Sequence, residues 1–374
     1  MVKFGNIVRD VKINVDRSNN PYKHYVAGDH MDSEDLTIHR HGDFATGDVG
    51  PAFTRIFKPG QILYGSRRTY LKKIAVADFS GICANTTFVL ESKDETVFLT
   101  RLLPFIMLSE SFTRWSIAHS KGSTNPYVLF SDLADYDLDL PPIDEQRILA
   151  DKLWAAYRLK ESYKKLLTAT QEMVKSQFIE MFGKGNWEQK SLGEVGSFKR
   201  GGGFQKSDYV EQGIPCIHYG QIHTKFGPFI YSHITEISSN LESKTKFAAK
   251  GDLIIAITSE DTEGSCKSTA WLGDYPVAVG GHAAIFHHCM NPVYMSFFFK
   301  SALFNYAKKE YVHGTKVCEI KPDDIAKIMV PYPPMSLQEE FSLIAERADK
   351  SEFELRKSIE AIDQVIKSLI NDIK

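Results

Sequence analysis

The sequence predicts an α+β fold with two repeated domains, each built on a twisted, mainly antiparallel sheet, and two long antiparallel helices that form a coiled coil. Three observations support this architecture. A Pro-Pro motif occurs twice, each copy opens a segment with apolar residues at helical spacing, and the remaining segments contain short β-like runs separated by Gly, Asn and Asp. Such long-range similarity indicates two halves related by a pseudo-two-fold axis.

The repeat is clearest around two glutamines. Residues Pro141 to Gln146 (PPIDEQ) return as Pro333 to Gln338 (PPMSLQ), an offset of 338 − 146 = 192 residues. Gly-centred turns before these motifs keep the same offset, whereas the match loosens by one to a few residues further upstream. The predicted boundaries are residues 1–140 for the first domain, 141–185 for the central helix, 186–332 for the second domain and 333–374 for the C-terminal helix.

Length and composition suit two globular domains. The chain has 374 residues, of which 43% are hydrophobic and 12% aromatic, enough for two cores. It has no run of about 18 apolar residues and no signal-peptide pattern at its start, so we expect a cytoplasmic protein with no membrane partner. The five cysteines are scattered without a Cys-x-x-Cys pair, which favours reduced thiols and no metal site.

The long helices are predicted from apolar residues spaced alternately by four and three. The first helix covers about residues 144–182, and its seam contains Leu149, Leu153, Ala156, Tyr163, Leu167, Val174 and Met181, with Lys160, Thr170 and Gln177 as polar exceptions. The second seam contains Phe341, Ala345, Ala348, Glu352, Leu355, Ile359, Ile362, Ile366, Leu369 and Ile373. Two such stripes most simply bury each other. The alternative, that each helix packs onto its own domain, remains open.

Within the globular segments, four apolar runs are predicted as strands, at residues 62–65, 86–90, 253–257 and 283–286. Residues 97–118 and 295–309 are predicted as helices. Neither half contains a phosphate-binding loop, a dinucleotide-binding turn or the motif of amino-methyltransferases. His282 with His287, His288 and Cys289 could suggest a metal-dependent nuclease, but consecutive residues on a strand point to alternate faces, which disfavours a shared ion.

A net charge of −2 does not by itself favour a nucleic-acid partner, yet basic clusters occur in both halves. A glycine-rich segment in the second half lets cations approach phosphate closely, and its glutamine, Gln205, could read a base edge. A plain flexible loop is the alternative. The candidates in this segment are Lys199, Arg200, Gly202, Gln205 and Lys206.

The remaining candidates for DNA contact lie elsewhere in the two domains. In the first domain, the basic run around residue 70 would take the corresponding role, with Arg67, Arg68 and Lys72. The equivalent Gly-centred turns add Lys121 and Ser123 in the first domain and His313, Thr315 and Lys316 in the second, although a turn common to the fold explains their similarity equally well. The predicted set also includes Gln221.

The sequence resembles the specificity subunits of type I restriction-modification systems over its whole length. The resemblance is carried by residues 140–146 (LPPIDEQ) and 331–338 (PYPPMSLQ), each leading into a long helix, and by residues 187–195 (WEQKSLGEV), which open the second domain. The first domain departs from this pattern, because residues 4–7 (FGNI) lack the Trp and Glu of the second copy and no glycine-rich counterpart to residues 201–203 is evident.

The resemblance implies two target-recognition domains that read the halves of a bipartite double-stranded DNA sequence, with the helices fixing the spacer between them. It also implies that two methyltransferase subunits dock on the helices, near Gln146 and Gln338, and that restriction subunits join them. The chain itself would be non-catalytic and would need no cofactor. A coiled-coil scaffold with duplicated ligand-binding domains is the alternative, and a steep salt dependence of binding would argue against it.

Overall fold

The computed structural model describes residues 1–47, 49–314 and 318–371. Contacts group the chain into two units. Unit 1 comprises Met1–Lys164 and Lys357–Lys374, and unit 2 comprises Lys165–Arg356. Because each unit joins a globular domain to parts of both long helices, the four-part division of the chain stays a prediction.

Unit 1 contains two four-stranded sheets and a small two-stranded sheet. The sheet orders are β2-β9-β6-β7, β4-β3-β8-β5 and β1-β10, and among the described residues of this unit only the β3–β8 pair is parallel. The strands are β1 (Val2–Lys3), β2 (Val8–Asp10), β3 (His24–Val26), β4 (Gly42–Asp43), β5 (Phe53–Phe57), β6 (Ile62–Gly65), β7 (Ile74–Val76), β8 (Gly81–Ala84), β9 (Thr87–Ser92) and β10 (Asp137–Leu138). The helices are α1 (Phe4–Ile7), α2 (Leu103–Leu108), α3 (Glu110–Ala118), α4 (Phe130–Ala134) and the first part of α5 (Ile143–Phe178).

Unit 2 repeats this plan with larger sheets. Its strands are β11 (Gln189–Ser191), β12 (Gly196–Arg200), β13 (Tyr209–Val210), β14 (Ile214–Ile217), β15 (Phe229–Ile230), β16 (Thr235–Ile237), β17 (Phe247–Ala248), β18 (Leu253–Ala256), β19 (Thr258–Ser259), β20 (Ser268–Trp271), β21 (Val277–Val279), β22 (Ala283–His288), β23 (Cys318–Glu319) and β24 (Met329–Pro331). The helices are α6 (Leu192–Val195), α7 (Tyr219–Thr224), α8 (Pro292–Lys300), α9 (Ala302–Ala307), α10 (Pro322–Ile325) and α11 (Met335–Asn371).

The sheets confirm the sequence repeat. The order β12-β22-β18-β20 in unit 2 corresponds to β2-β9-β6-β7 in unit 1, and β16-β14-β21-β17 corresponds to β4-β3-β8-β5. Strands β13 and β15 extend the two sheets of unit 2, where β14–β21 and β15–β20 are parallel pairs. The predicted fold class, repeated α+β domains with mainly antiparallel sheets, is therefore confirmed, as are all four predicted strands.

The two shorter predicted helices, in contrast, are each interrupted at an equivalent serine. Ser109 ends α2 and caps α3, and Ser301 ends α8 and caps α9, at positions 301 − 109 = 192 residues apart. Each serine has an extended backbone and accepts a hydrogen bond from the amide three residues later. A serine side chain satisfies such an amide at a helix start, which favours a new helix over continuation of the old one.

The long helices confirm the predicted seams. Every seam residue from Leu149 to Leu369 is buried or half-buried, and Ile373 lies outside the described residues. Within unit 1, Lys160 Nζ donates to Asp363 Oδ1 at 2.5 Å, and within unit 2, Gln171 Nε2 donates to Glu352 Oε2 at 2.9 Å. The early part of α5 thus meets the late part of α11, and the late part of α5 meets the early part of α11, as antiparallel helices require.

Both helices also pack onto the first domain within unit 1, whereas the alternative prediction placed each helix on its own domain in place of helix pairing. In unit 1, the Tyr157 hydroxyl accepts from Leu36 N at 2.8 Å and donates to Asp35 Oδ1 at 2.7 Å. Ile366 and Ile370 of α11 belong to the same core. Helix pairing and domain packing therefore coexist in one hydrophobic cluster.

All five cysteines are free thiols, and only Cys289 is exposed. This agrees with the prediction of reduced, structural cysteines. Across the described ranges, no helix combines the length and the apolarity that a membrane crossing requires.

The two repeated glutamines tie each long helix to its domain. Gln146 is 1% exposed, accepts from Leu99 N at 3.2 Å and donates to Val97 O and Pro141 O at 3.0 Å. Gln338 is equally buried, accepts from Asn291 N at 2.9 Å and donates to Pro333 O at 2.8 Å. Both side-chain amides use their hydrogen bonds inside their own unit. A role of Gln146 and Gln338 at a subunit interface would therefore be indirect, through the position of the helix start that each glutamine fixes.

Substitution of Gln338 by Ala is expected to destabilise the protein by about 1–3 kcal/mol, because it leaves buried backbone groups without partners. The measurement is the free energy of unfolding of the purified chain, with the exposed Gln189→Ala as a control expected within about 0.5 kcal/mol of wild type. Weaker binding of a methyltransferase subunit with no loss of stability would instead indicate a direct contact at the interface.

Candidate nucleic-acid interface

In unit 1, two predicted segments meet at an aromatic residue that the sequence did not single out. Lys121 and Tyr127 exchange backbone hydrogen bonds of 2.7 and 2.9 Å, closing a hairpin. Arg68 N donates to Pro126 O at 2.7 Å, and the Arg67 guanidinium lies 5.8 Å from the centroid of the Tyr127 ring. The structure thus brings Arg67, Arg68 and Lys121 together around Tyr127, with both arginines exposed.

The other cations of this region are partly neutralised. Lys121 forms an ion pair of 3.0 Å with Asp132, and Lys72 forms one of 2.7 Å with Glu34. Burial opposes ionisation of Asp132, but hydrogen bonds from Lys121 and from the Leu129 amide outweigh it and lower the pKa of Asp132. Ser123 lies exposed in the loop of the hairpin. Arg67 and Arg68 are consequently the cations that this surface offers most directly to a phosphate.

In unit 2, Arg200 connects two of the predicted segments. Its Nε donates to Gly281 O at 3.0 Å, and its guanidinium forms an ion pair of 3.1 Å with Glu319. Glu319 in turn exchanges backbone hydrogen bonds of 2.9 and 3.0 Å with the exposed His313. Arg200 and His313 are therefore neighbours through Glu319. The candidates Thr315 and Lys316 lie outside the described residues.

The two hairpins are built at equivalent positions but carry different side chains. Lys121 corresponds to His313, Tyr127 to Glu319 and Asp132 to Asp324, each pair 192 residues apart. The ion pair of Lys121 with Asp132 has its counterpart in His313 and Asp324, 4.0 Å apart. A hydrogen bond from Lys327 lowers the pKa of Asp324. The scaffold is thus conserved within the chain, whereas Arg beside Tyr in one copy is replaced by Arg beside Glu in the other.

The glycine-rich segment of unit 2, Gly201–Gly203, crosses the segment that contains Gly280 and Gly281. Gly202 N donates to Val279 O at 2.8 Å, and Gly202 forms a parallel bridge with Gly280. A Cβ on Gly201 would lie 2.3 Å from Gly280 O, whereas a Cβ on Gly203 would meet nothing within 4 Å. Bare backbone at residue 201 is therefore required by this crossing, a reason that the sequence alone did not reveal.

The flanking candidates of this segment face solvent. Lys199, at the end of β12, and Lys206, in the turn after the glycines, are both exposed. Gln205 is exposed as well, and its backbone amide is fixed by Asp208 Oδ2 at 2.7 Å. The segment thus presents two cations and one amide side chain from a turn whose backbone is anchored.

Gln221 occupies a different environment from the other candidates. It is 4% exposed, its Oε1 accepts from His218 N at 3.1 Å, and its Nε2 donates to Thr235 Oγ1 at 2.9 Å. Both ends of the amide are used inside the domain. This placement favours a structural role for Gln221 in place of the predicted DNA contact.

The metal alternative finds little support in the described part of the chain. His287 Nδ1 lies 2.6 Å from Asp252 Oδ1, and the His282 ring contacts the ring of Tyr219. Among the described residues, the group of three potential ligands that lie within reach of one ion is Asp35, His39 and Glu161, and it includes neither histidine. The ammonium of Lys164 already lies among them, 2.8 Å from Glu161 and 3.5 Å from Asp35.

Tyr127, Glu319, Gly280 and Gly281 are not among the residues that the sequence predicts for DNA contact. The first two could have been found by extending the 192-residue alignment from Gly122 and Gly314, since both follow those turns by five residues. Gly280 and Gly281 gave no comparable signal. Their role depends on a crossing of segments far apart in the chain.

The chain is similar to known proteins over most of its length. A family model for the type I restriction modification DNA specificity domain matches residues 21–169 and 184–364. A type I restriction enzyme EcoDI specificity subunit of Escherichia coli is 29% identical over 109 residues, which cover 29% of this chain and 24% of that protein. The MjaVIII specificity subunit of Methanocaldococcus jannaschii is 22% identical over 314 residues, 78% of this chain and 73% of the relative.

Two solved structures show the same fold. The type I restriction-modification system S subunit from M. genitalium superposes with a TM-score of 0.58 at 13% identity, covering 98% of this chain and 94% of that one. A chain from a study of complex assembly and conformational transition of the type I R-M system gives a TM-score of 0.57 at 18% identity, covering 99% and 96%. Both comparisons extend over the repeated domains and the helices.

Proposed function

The chain belongs to the type I restriction modification DNA specificity family, and on that premise we propose that each of its two globular domains reads one half of a bipartite double-stranded DNA target. As a specificity subunit, it selects the target and does not itself methylate or cut. In this division, unit 1 reads the first half-site and unit 2 reads the second.

The observation that carries this division is the pair of equivalent hairpins with different side chains. In unit 1 the arginine lies beside Tyr127, and in unit 2 the arginine pairs with Glu319. Arginine contacts phosphates or guanine, and a carboxylate can accept a hydrogen bond from the amino group of cytosine. Recognition of two unlike half-sites requires equivalent backbone positions that carry different side chains, as these two hairpins do.

We further propose that two methyltransferase subunits dock on the paired helices, that restriction subunits join this complex, and that the complex works in the cytoplasm. The supporting feature is a stripe of four exposed apolar residues on α5, whose spacings of 11, 7 and 7 residues place them on one face of the helix. These residues are Ile148, Leu159, Leu166 and Met173. An exposed apolar stripe along one helix face is typical of a surface that packs against a partner.

Paired substitutions in the two domains test the division. The double variant Arg67→Ser with Arg68→Ser is expected to weaken binding and to lower the slope of log K against log salt by about 1–2, because each lost phosphate contact removes about 0.9. Discrimination at the second half-site should be unchanged. The matched double variant Lys199→Ser with Lys206→Ser should likewise weaken binding and lower this slope by about 1–2, with discrimination at the first half-site unchanged.

The measurement is the affinity of the complex with its methyltransferase subunits for duplexes in which one half-site is scrambled, at several salt concentrations. Methylation mapping of host DNA supplies the target sequence. If both double variants affected the two half-sites equally, the division between domains would be wrong. Binding that is insensitive to salt would favour a protein-interaction scaffold instead.

A further inference from the structure

A tyrosine in unit 1 stands at the apex of an unusually well-anchored turn. Thr69–Leu71 forms a single 3₁₀ turn in which Tyr70 is 53% exposed. Its neighbour Thr69 is 3% exposed, with Oγ1 at 3.4 Å from Ser120 Oγ. Leu71 N donates to Arg68 O at 2.8 Å. Thr69 is thus buried against the domain, whereas the Tyr70 ring faces solvent.

The ends of this turn are held in a conformation that side chains normally avoid. Arg68 has φ +50°, Lys72 has φ +48°, and Glu34, whose amide donates to Lys72 O at 3.1 Å, has φ +57°. Left-handed backbone costs a residue with a Cβ roughly 1–2 kcal/mol. Such conformations persist where the surroundings fix them, and they cluster at functional sites.

The surroundings of Tyr70 are basic. Arg67 and Arg68 precede it, Lys72 and Lys73 follow it, and only Lys72 is paired with a carboxylate among the described residues. Within the same part of the chain, the Tyr70 side chain makes no hydrogen bond and no ring contact. An exposed ring framed by cations is unsuited to an apolar protein surface, whereas it matches a nucleic acid, which offers phosphates beside stacked bases.

We propose that Tyr70 is a stacking residue, whose ring lies against a base of the first half-site at a step that is unstacked in the bound complex. This inference rests on the proposed function, since it requires unit 1 to face DNA. The corresponding segment of unit 2 lies between β18 and β20, at residues 257–267, and it contains no Phe, Tyr or Trp, so unit 2 carries no equivalent ring. Stacking would therefore contribute to only one of the two half-sites.

The test measures the affinity of the complete methyltransferase complex for the mapped target duplex at several salt concentrations. Tyr70→Ala is expected to lower the affinity roughly 5- to 150-fold, the range found for loss of one aromatic–base stack. The slope of log K against log salt should stay at the wild-type value, because a neutral ring releases no counterions. Tyr70→Phe, which keeps the ring, should bind within about threefold of wild type.

Tyr306→Ala is the matched control, since Tyr306 is 78% exposed in unit 2 and lies outside the candidate residues. It should bind as wild type does. Wild-type affinity for Tyr70→Ala, an equal loss in Tyr70→Phe, or a reduced salt slope would each overturn the stacking role. A wild-type complex that fails to discriminate its target from a scrambled duplex would instead overturn the proposed function.

Discussion

Gly201→Ala is expected to abolish discrimination at the second half-site while leaving the first half-site fully read. The added Cβ would lie 2.3 Å from Gly280 O and 2.5 Å from Val279 O, closer than real Cβ atoms come to a backbone oxygen. The crossing of the two glycine pairs must therefore open, and Arg200, which is fixed by Gly281 O, moves with it. Overpacking of this kind costs about 1–3 kcal/mol.

The matched control is Gly203→Ala, two residues along the same segment, where a Cβ meets nothing within 4 Å. Its stability and its affinity for target DNA should equal those of wild type. Both variants are measured by thermal unfolding and by binding of the assembled complex to duplexes with one scrambled half-site. If Gly201→Ala read the second half-site normally, the glycine crossing would have no part in recognition.

The architecture could be predicted from the sequence because its signals are periodic and repeated. The seam from Leu149 to Leu369 follows from the spacing of apolar residues, and two helices with such seams have few other ways to bury them. Because the halves repeat, an element predicted in one half is expected at the corresponding place in the other. Strands next to Gly turns, such as Ile62–Gly65, are predictable for the same reason.

Local interruptions were harder to predict, since they depend on single hydrogen bonds. Apolar periodicity continues across Ser109 and Ser301, yet each serine caps a new helix through one side-chain oxygen. The same holds for the candidate site. Basic residues could be found by composition, but the burial of Gln221 and the crossing of Gly201 with Gly280 depend on which distant segments meet in the folded domain.

The two hairpins combine a feature that the sequence predicts with one that it does not. The 192-residue offset fixes which positions correspond, so Tyr127 and Glu319 are predictable as partners in the repeat. The offset does not predict which side chains lie next to Tyr127 and Glu319. Arg67 is adjacent to Tyr127 through a hairpin bridge, whereas Arg200 reaches Glu319 from β12, and only the folded structure distinguishes these routes.

Insertion of one heptad into each long helix is expected to lengthen the preferred DNA spacer by about three base pairs. Seven residues add about 10.5 Å of helix, and B-DNA rises about 3.4 Å per base pair. The insertions belong after Leu166 in α5 and after Arg356 in α11. Each then lies between the contacts Lys160–Asp363 and Gln171–Glu352. Because a heptad preserves the apolar repeat, the seam should re-form on both sides of the insertion.

The affinity at the longer spacer should be lower than that of wild type at its own spacer. Three additional base pairs rotate the second half-site by more than a quarter of a turn of B-DNA, at about 10.5 base pairs per turn, whereas a heptad rotates a straight helix by only about 20°. A heptad in α5 alone is the control. It shifts every later seam residue past its partner in α11, so the protein should lose stability and recognise no spacer. If the double insertion left the preferred spacer unchanged in a panel of duplexes, the helices would not set the distance between half-sites.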